Sequence, residues 1–384
     1  MMKRKINHRQ DTKQEQRRAK RTLLRQRPSH IRRLLVLVAG LVVALLLVCV
    51  AVVAQEPVNP VRSTATTLTP RMDPPTTAST TTTLPQGKRT YAVGEVSKSW
   101  VEGEKTVVIM ANGQTRSPRV LVANILYPAT GLGANAQQSD APPAQSDGPF
   151  PLLIFGPGFD QPTMSYKLLL EHWAHSGFVV AALTFPGTAP GASGGPTEND
   201  LINQPGDVTY AITALEQLSS QRNHILSAMV NPEEVAVVGQ SDGGNTALAV
   251  GYDTTYLDPR VKAVVVLSGA EYGIPGASWF PSGSPPLLAF QGTNDKTNYS
   301  QWTNDYFASA TSPKYLDCLQ GADHLNGYDT ASSFENVVAT VTTDFFDAEL
   351  YHLAGRIHQM KSDGTIPGTA FFASSCPGPP PPLK

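Results

Sequence analysis

A sharp, glycine-flanked turn lies between a predicted strand and a predicted helix in the second half of the chain. The apolar run Glu234–Val238 leads into Gly239-Gln240-Ser241-Asp242-Gly243-Gly244, and a helix is predicted over Asn245–Tyr252. This is the G-x-S-x-G pattern in its strand–turn–helix setting. Such a turn is strained, and side chains at Gly239 and Gly243 would collide with the neighbouring strand and helix. The turn therefore needs a sheet beneath it, and it lifts the Ser241 hydroxyl above that sheet.

Apolar strands alternate with helices between about residues 89 and 376, which we interpret as one domain. The other predicted helices are Tyr166–Ser176, Pro205–Leu218 and one long final helix, Val341–His358. The other apolar strands are Pro151–Phe155, Phe178–Thr184, Val261–Leu267, Pro286–Phe290 and Lys314–Leu319. Unbroken apolar strands separated by helices predict an α/β fold, with a mostly parallel sheet covered by helices on both faces. We expect Thr106–Met110 and Val120–Leu126 to form an opening antiparallel pair.

The N-terminal part of the sequence predicts that the body of the protein lies outside the cytoplasm. Residues 34–54 are 21 residues without a charge, and a helix of that length spans about 31 Å, which matches a hydrocarbon core of about 30 Å. Residues 1–33 hold thirteen Lys and Arg against two acidic residues. The positive-inside bias therefore predicts a cytoplasmic arm (1–33), a single transmembrane anchor (34–54) and an extracytoplasmic body. The alternative is a cleavable signal peptide ending at Val52-Val53-Ala54, which would release a secreted protein.

Two further segments flank the body. Residues 55–88 are rich in Thr and Pro and predict an extended linker, and residues 377–384 predict a Pro-rich tail. Beyond residue 33 the chain holds 17 basic and 29 acidic residues. The basic arm therefore indicates topology or contact with anionic lipid rather than nucleic-acid binding. The predicted partners are an ester substrate and the membrane, and we expect a monomer.

Cys49 differs in its sequence context from the other two cysteines, Cys318 and Cys376. Cys49 lies in the apolar segment, where a small apolar role is expected. Cys318 and Cys376 are an even pair in an oxidising compartment, which predicts one disulfide. No Cys/His spacing is typical of a zinc site, so we predict no metal.

A serine nucleophile needs a base and an acid to orient it, and this fold takes them in the order Ser, acid, His. His324 follows the last predicted strand at the carboxyl edge of the sheet and is the predicted base, whereas His352 and His358 fall in the predicted final helix. Asp295 ends the segment Gln291-Gly292-Thr293-Asn294-Asp295 at the tip of the preceding strand and is the predicted acid. Glu271 and Asp323 are its rivals.

The oxyanion of a tetrahedral intermediate needs backbone donors. One predicted donor is the N–H of Asp242, which follows the nucleophile. The other lies in the turn Gly156-Pro157-Gly158-Phe159, where Pro157 has no N–H and Phe159 is preferred over Gly158. A plain Gly-Pro turn is the alternative interpretation.

The chain resembles the α/β-hydrolase superfamily over residues 89–376, in particular its dienelactone-hydrolase-like, platelet-activating-factor-acetylhydrolase-like and cutinase-like polyester hydrolase branch. The motifs that carry the resemblance are Ile125-Leu126-Tyr127-Pro128-Ala129, Gly156-Pro157-Gly158-Phe159, the Ser241 turn, Gly292-Thr293-Asn294-Asp295 and Gly321-Ala322-Asp323-His324. A disulfide that reaches the C-terminal segment is also similar to the cutinase-like enzymes. The resemblance implies ester hydrolysis without a cofactor.

Two residues depart from the family pattern. Gln240 stands where many relatives have His, and Asp242 replaces an apolar Met or Ala. An acid at Asp242 would slow reaction with anionic substrates. Two other features concern the substrate cleft. Phe159, Tyr272, Trp279 and Phe280 would form an apolar cleft or pack in the core, and the Gly/Pro-rich loop 187–199 would gate the cleft.

The predicted function is a serine carboxylic ester hydrolase that acts on a lipid, acyl or polyester substrate outside the membrane. An acyltransferase or a peptidase would use the same three residues. A non-catalytic surface-binding protein on a hydrolase scaffold is the alternative from a different class.

Overall fold

The computed structural model describes residues 89–382, apart from residues 104–105, 132–136, 277 and 312. The predicted arm, transmembrane anchor and linker, residues 1–88, lie outside the described residues. No helix in the described part of the chain combines the length and the apolar character that crossing a bilayer requires.

Ten of the twelve described strands form one mixed sheet in the order β12-β11-β10-β9-β8-β6-β7-β4-β1-β5. The strands β6 to β11 run parallel to one another. Antiparallel pairs join β7 to β4, β4 to β1 and β11 to β12. The strand bounds are Ala92–Val101 (β1), Val108–Ile109 (β2), Thr115–Arg116 (β3), Val120–Ala129 (β4), Gln137–Ser139 (β5), Phe150–Gly156 (β6), Val179–Thr184 (β7), Val230–Gln240 (β8), Val261–Leu267 (β9), Leu287–Gly292 (β10), Lys314–Leu319 (β11) and Ala370–Phe372 (β12).

Six α-helices of the described residues cover this sheet. Their bounds are Lys167–His175 (α1), Gln204–Ser220 (α2), Asp242–Tyr252 (α3), Ser300–Ser309 (α4), Ser333–Glu349 (α5) and Arg356–Asp363 (α6). Alternate residues of each central strand face opposite sides of the sheet, so two apolar clusters form. The cluster on one side includes side chains of α2, α3 and α4, and that on the other side includes side chains of α1, α5 and α6. The predicted α/β fold, with helices on both faces of a mostly parallel sheet, is therefore present.

Two predictions about the elements are wrong. The predicted final helix Val341–His358 is two helices, α5 and α6, because His352 and Gly355 take left-handed backbone angles, φ 54° and 82°. The predicted opening pair is also absent. β2 pairs with β3, and β4 pairs with β1 instead. The first three residues of β1 are buried. β1 pairs with β4 over ten residues, so that edge of β4 is not available to the two-residue strand β2.

A disulfide and several hydrogen bonds attach the C-terminal segment to β11 and α4. Cys318 of β11 and Cys376 form the predicted disulfide. The side chain of Asn304, on α4, accepts a hydrogen bond from the Cys376 N–H at 2.8 Å and donates one to the Cys376 carbonyl at 3.0 Å. Ser300 Oγ donates to the Pro377 carbonyl at 3.0 Å. The start of the predicted Pro-rich tail is therefore held against the first turns of α4.

A buried ion cluster holds the start of β4 to the N-terminal end of α2. Arg119 is 1% exposed, and its guanidinium pairs with Asp200 at 2.8 Å and with Asp207. Both carboxylates are fully buried. Asp200 also accepts the Ile109 N–H at 2.8 Å, which brings the β2 segment into the same cluster. Each buried charge here depends on the others, because an unpaired charge in the interior carries a large desolvation cost.

Replacing Arg119 by Met should destabilise the fold strongly, because two buried carboxylates lose their cation. We expect the free energy of unfolding to fall by about 3–5 kcal/mol. The control is Lys167→Met, which removes the partner of Glu171 from an exposed i,i+4 pair on α1 and should cost under about 0.5 kcal/mol. Denaturant unfolding of both variants measures the difference. Equal effects of the two substitutions would contradict the role given to Arg119.

Candidate active site

Ser241 occupies the single residue between β8 and α3. Its backbone angles are φ 52° and ψ −118°, a conformation that side chains other than glycine rarely adopt. The surrounding structure holds it there, because the Ser241 N–H donates to the Leu267 carbonyl at 3.0 Å and its carbonyl accepts the Asn245 N–H at 3.0 Å. The turn therefore presents the Ser241 side chain at the carboxyl edge of the sheet.

The glycines around Ser241 permit three backbone segments to meet. A Cβ atom at Gly239 would overlap the carbonyl of Gly243, at the start of α3. A Cβ atom at Gly243 would overlap the carbonyl of Gly156, at the end of β6. Both obstacles are backbone atoms, which cannot rotate away. This is the collision that the sequence pattern predicts.

The structure brings the predicted nucleophile, base and acid together. His324 Nε2 lies 2.9 Å from Ser241 Oγ, and His324 Nδ1 lies 2.8 Å from Asp295 Oδ2. An ionised carboxylate only accepts hydrogen bonds, so Nδ1 carries the proton toward Asp295 and Nε2 is free to accept the serine proton. Three parallel strands of the sheet, β8, β10 and β11, deliver these residues to one edge, from segments that are distant in sequence.

Asp295 is held by its own turn and is fully buried. Its Oδ1 accepts the N–H groups of Thr297 at 2.8 Å and Asn298 at 2.9 Å, which leaves Oδ2 for His324. The rival Asp323 uses its Oδ1 in the same local way, because it accepts the N–H groups of Leu325 and Asn326. The rival Glu271 lies in the wall of the cavity described below. Of the three acids, Asp295 is the one that the structure hydrogen-bonds to His324.

The two predicted oxyanion donors face the same cavity. Phe159 and Asp242 both line it beside Ser241. The Gly158 N–H donates to the Tyr166 hydroxyl at 3.3 Å, so it is already engaged. Within the described residues the N–H groups of Phe159 and Asp242 have no such partner, which leaves them available to a bound oxyanion.

A buried hydrogen-bond network, which the sequence analysis did not predict, supports His324. The Tyr166 hydroxyl donates to Gln240 Oε1 at 2.8 Å, and Gln240 Nε2 donates to the His324 carbonyl at 3.0 Å. Burial raises the pKa of Tyr166, so its hydroxyl keeps the proton that it donates. Gln240 occupies the variable position before Ser241, which was noted only as a departure from the family pattern. No signal in the sequence connects Tyr166 to the site.

A cavity of about 760 Å³ opens above Ser241 and His324. Four aromatic residues had two interpretations in the sequence. Phe159 and Tyr272 line this cavity. Phe280 packs in the core against Tyr252, and the half-buried Trp279 packs against Phe280. Trp302 and Tyr306 of α4 also line the cavity, although no helix was predicted in that segment. Glu198, near the end of the predicted gating loop 187–199, is in the wall.

Asp242 is the unusual carboxyl of the site. It is 7% exposed, and burial, together with the charge of Glu198, raises its pKa to about 7, an effect that His324 opposes. Glu271, across the cavity wall, also has a raised pKa, because of burial and the charge of Asp253. The cavity therefore concentrates acidic groups near the serine.

Comparison with known proteins gives one family match. The chlorophyllase family model matches residues 141–292, which is less than half of the chain. The match contains the Gly156–Phe159 turn and the Ser241 turn, and it ends before Asp295 and His324. No curated protein matches the sequence.

Among solved structures, the fold is similar to a ferulic acid esterase from Streptomyces cinnamoneus. The TM-score is 0.53, and the superposition covers 70% of this chain and 92% of that enzyme at 16% sequence identity. At that identity the likeness concerns the fold. It confirms the fold that the sequence motifs predicted.

A methyl group at Gly243 should disrupt the turn, because it would overlap the backbone of Gly156. We expect Gly243→Ala to lower the free energy of unfolding by about 3 kcal/mol or more. Gly206→Ala is the matched control, since Gly206 lies in α2 with open space around it and the same change there should stabilise by about 0.4–1 kcal/mol. Thermal or denaturant unfolding compares them. A neutral Gly243→Ala variant would mean that the three segments are not in close contact.

Proposed function

We infer that this chain, a carboxylic ester hydrolase with the α/β-hydrolase fold, cleaves its substrate through an acyl-enzyme formed on Ser241. The observation that carries this inference is the continuous hydrogen-bonded chain from Ser241 Oγ through His324 to Asp295, with separations of 2.9 and 2.8 Å. A serine, a histidine and a carboxylate in that arrangement constitute an activated nucleophile.

In the first half of the reaction Ser241 Oγ attacks the ester carbonyl carbon while its proton passes to His324 Nε2. Asp295 accepts the hydrogen bond from Nδ1–H and stabilises the imidazolium that forms. The N–H groups of Asp242 and Phe159 donate to the developing oxyanion. The carbon–oxygen bond to the alcohol then breaks, the alcohol takes the proton from His324, and the acyl group remains on Ser241.

In the second half a water molecule attacks the acyl carbon. His324 takes the proton of that water, the same two N–H groups stabilise the second oxyanion, and the bond to Ser241 Oγ breaks. His324 returns its proton to Ser241, and the carboxylic acid leaves. The enzyme residues end in the state in which they began, so the cycle requires no cofactor.

The cavity walls support an acyl, lipid or polyester substrate. Four aromatic side chains, those of Phe159, Tyr272, Trp302 and Tyr306, line the space above Ser241. Such surfaces bury the apolar part of an ester. The name of the structurally similar ferulic acid esterase adds aromatic acyl groups to the substrates worth testing.

Replacing Ser241 by Ala should abolish turnover. We expect a loss of roughly 10⁴- to 10⁶-fold in kcat on p-nitrophenyl esters of short and long acids. The control is Ser220→Ala, at the exposed end of α2, which should retain full activity. A phosphonylating inhibitor should transfer its phosphonyl group, with loss of its leaving group, to wild type and not to Ser241→Ala, and intact-protein mass spectrometry measures that added mass. Retained activity in Ser241→Ala would exclude the acyl-enzyme route.

We also propose that the catalytic body is extracytoplasmic and held at the membrane by residues 34–54. The supports are the uncharged 21-residue segment and the basic arm that precedes it. The protein should sediment with membranes and dissolve in detergent. Protease added to intact cells should digest the body and spare residues 1–33 until the cells are permeabilised. Recovery of the body in the medium would favour the cleaved signal peptide instead.

A further inference from the structure

The ionisable side chains that line the cavity above Ser241 are mostly acidic. Four carboxyl residues line it: Glu198, Asp242, Glu271 and Asp305. The described lining residues include no Lys or Arg, and His324 is the one basic side chain among them. These carboxyls come from separate parts of the chain, namely the segment before α2, the start of α3, the segment after β9, and α4. A low-dielectric cavity strengthens the field of such a group, so the cavity repels an anionic substrate.

Asp242 is the one buried carboxyl among the four described acidic residues of this wall. It is 7% exposed, and its Oδ2 is fully covered yet accepts no hydrogen bond within the described part of the chain. The carboxylate of Asp295, by contrast, accepts backbone N–H groups, and that of Asp200 pairs with Arg119. A buried carboxylate without a donor carries a substantial cost. Because Asp242 also lines the cavity, a cation bound there would lie beside a carboxyl whose buried Oδ2 has no hydrogen-bond donor among the described residues.

Aromatic side chains share this wall with the carboxyls. Tyr272 is 62% exposed and Trp302 is 38% exposed, so both present their rings to the space that a substrate enters. Phe159 and Tyr306 complete the aromatic part of the lining. Aromatic faces combined with carboxylates are the surroundings that proteins use to bind ammonium groups, quaternary ones included.

We propose that the cavity selects esters that carry an ammonium group, and that Asp242 is the specificity-determining residue that contacts this group. The inference rests on the proposed ester hydrolysis at Ser241. The reaction itself is unchanged: the acyl group passes to Ser241 and then to water, and the ammonium group stays intact on the acyl or alcohol product. The cation supplies the partner that Asp242 lacks, and it also reduces the repulsion between Asp242 and Glu198.

The ionisation of Asp242 gives this selection a pH dependence. The pKa of Asp242 is raised to about 7 by its burial and by Glu198, and lowered by His324. Tyr166, on the far side of the turn, also interacts electrostatically with Asp242 and remains neutral in this range. Below that pKa the carboxyl is protonated and attracts a cation weakly. Above it the carboxylate is charged, so the preference for a cationic ester should increase as the pH rises through about 7.

The test compares ester pairs that differ only in charge. On the alcohol side, acetylthiocholine is compared with the uncharged thioacetate in which a tert-butyl group replaces the trimethylammonium group. On the acyl side, the p-nitrophenyl ester of γ-trimethylammonio-butyrate is compared with its tert-butyl isostere. With the full-length protein, kcat/KM for the cationic member of at least one pair should exceed that of its isostere by about tenfold at pH 8. The pair that shows the preference identifies the side on which the ammonium group binds.

Two variants assign the preference to a residue. Asp242→Asn keeps the backbone N–H and the side-chain size but removes the charge, so the cationic-to-neutral ratio should fall to about one and lose its pH dependence. The matched control is Asp317→Asn. Asp317 is a fully buried carboxyl on β11, outside the cavity, with a pKa raised by burial to about 8. That variant should keep the ratio of wild type.

The outcomes separate the two proposals. If wild type cleaves neither the neutral nor the cationic esters, the ester hydrolysis at Ser241 is wrong, and this inference is wrong with it. If wild type cleaves the neutral esters as fast as the cationic ones at every pH, only the cation selectivity is wrong. If the preference is present but survives in Asp242→Asn, its assignment to Asp242 is overturned. The wild-type ratio decides the selectivity even if Asp242→Asn fails to fold.

Discussion

The close backbone contact between the end of β6, the end of β8 and the start of α3 is the constraint on which the rest of the site depends. Glycines at positions 239 and 243 let these segments approach closer than any side chain would permit, and a Cβ atom at Gly156 would lie only 3.1 Å from the Gly243 Cα. That approach holds Ser241 in an otherwise unfavourable conformation at the sheet edge. A serine in a relaxed loop would sample many rotamers and backbone states. Here the cost of the strained residue is offset by the packing of two strands and a helix around it, so the nucleophile is positioned before any substrate arrives.

The order of the strands in the sheet places Asp295 and His324 near Ser241. The acid and the base follow neighbouring parallel strands, so their loops leave the sheet at the same edge, and the Asn294 N–H binds the Ala322 carbonyl at 2.9 Å to join those two loops directly. His324 is then held from two sides, by Asp295 at its ring and by Gln240 at its carbonyl. Gln240 also accepts a hydrogen bond from the Tyr166 hydroxyl. The histidine is therefore positioned by backbone and buried polar contacts rather than by its own loop alone.

The sequence was most informative where a local pattern determines geometry. The glycine spacing around Ser241 and the unbroken apolar runs of β6 to β11 each have one structural solution, so the turn and the parallel sheet could be predicted. β12 is three residues long, and α4 is a mostly polar segment of ten residues, so neither was predicted. The break between α5 and α6 depends on left-handed residues within an apparently helical run, and the cap at Ser332 that starts α5 was overlooked. Tyr166 and Arg119 act through partners distant in sequence, which no local pattern encodes. The roles proposed for Ser241, Asp295, His324, Phe159 and Asp242 remain predictions that the geometry supports.

The attachment of the C-terminal segment has a consequence for the order in which the protein matures. α4 supplies Trp302, Asp305 and Tyr306 to the cavity wall, and it is hydrogen-bonded through Asn304 to Cys376. Cys376 lies 58 residues beyond its disulfide partner, Cys318, and 52 residues beyond His324 in the sequence. A ribosome that makes this chain therefore releases the nucleophile, the acid and the base well before the segment that fastens one wall of their cavity. The reactive residues are synthesised first, and the shape of the space around them is completed only after Cys376 has been made and the two cysteines have been oxidised.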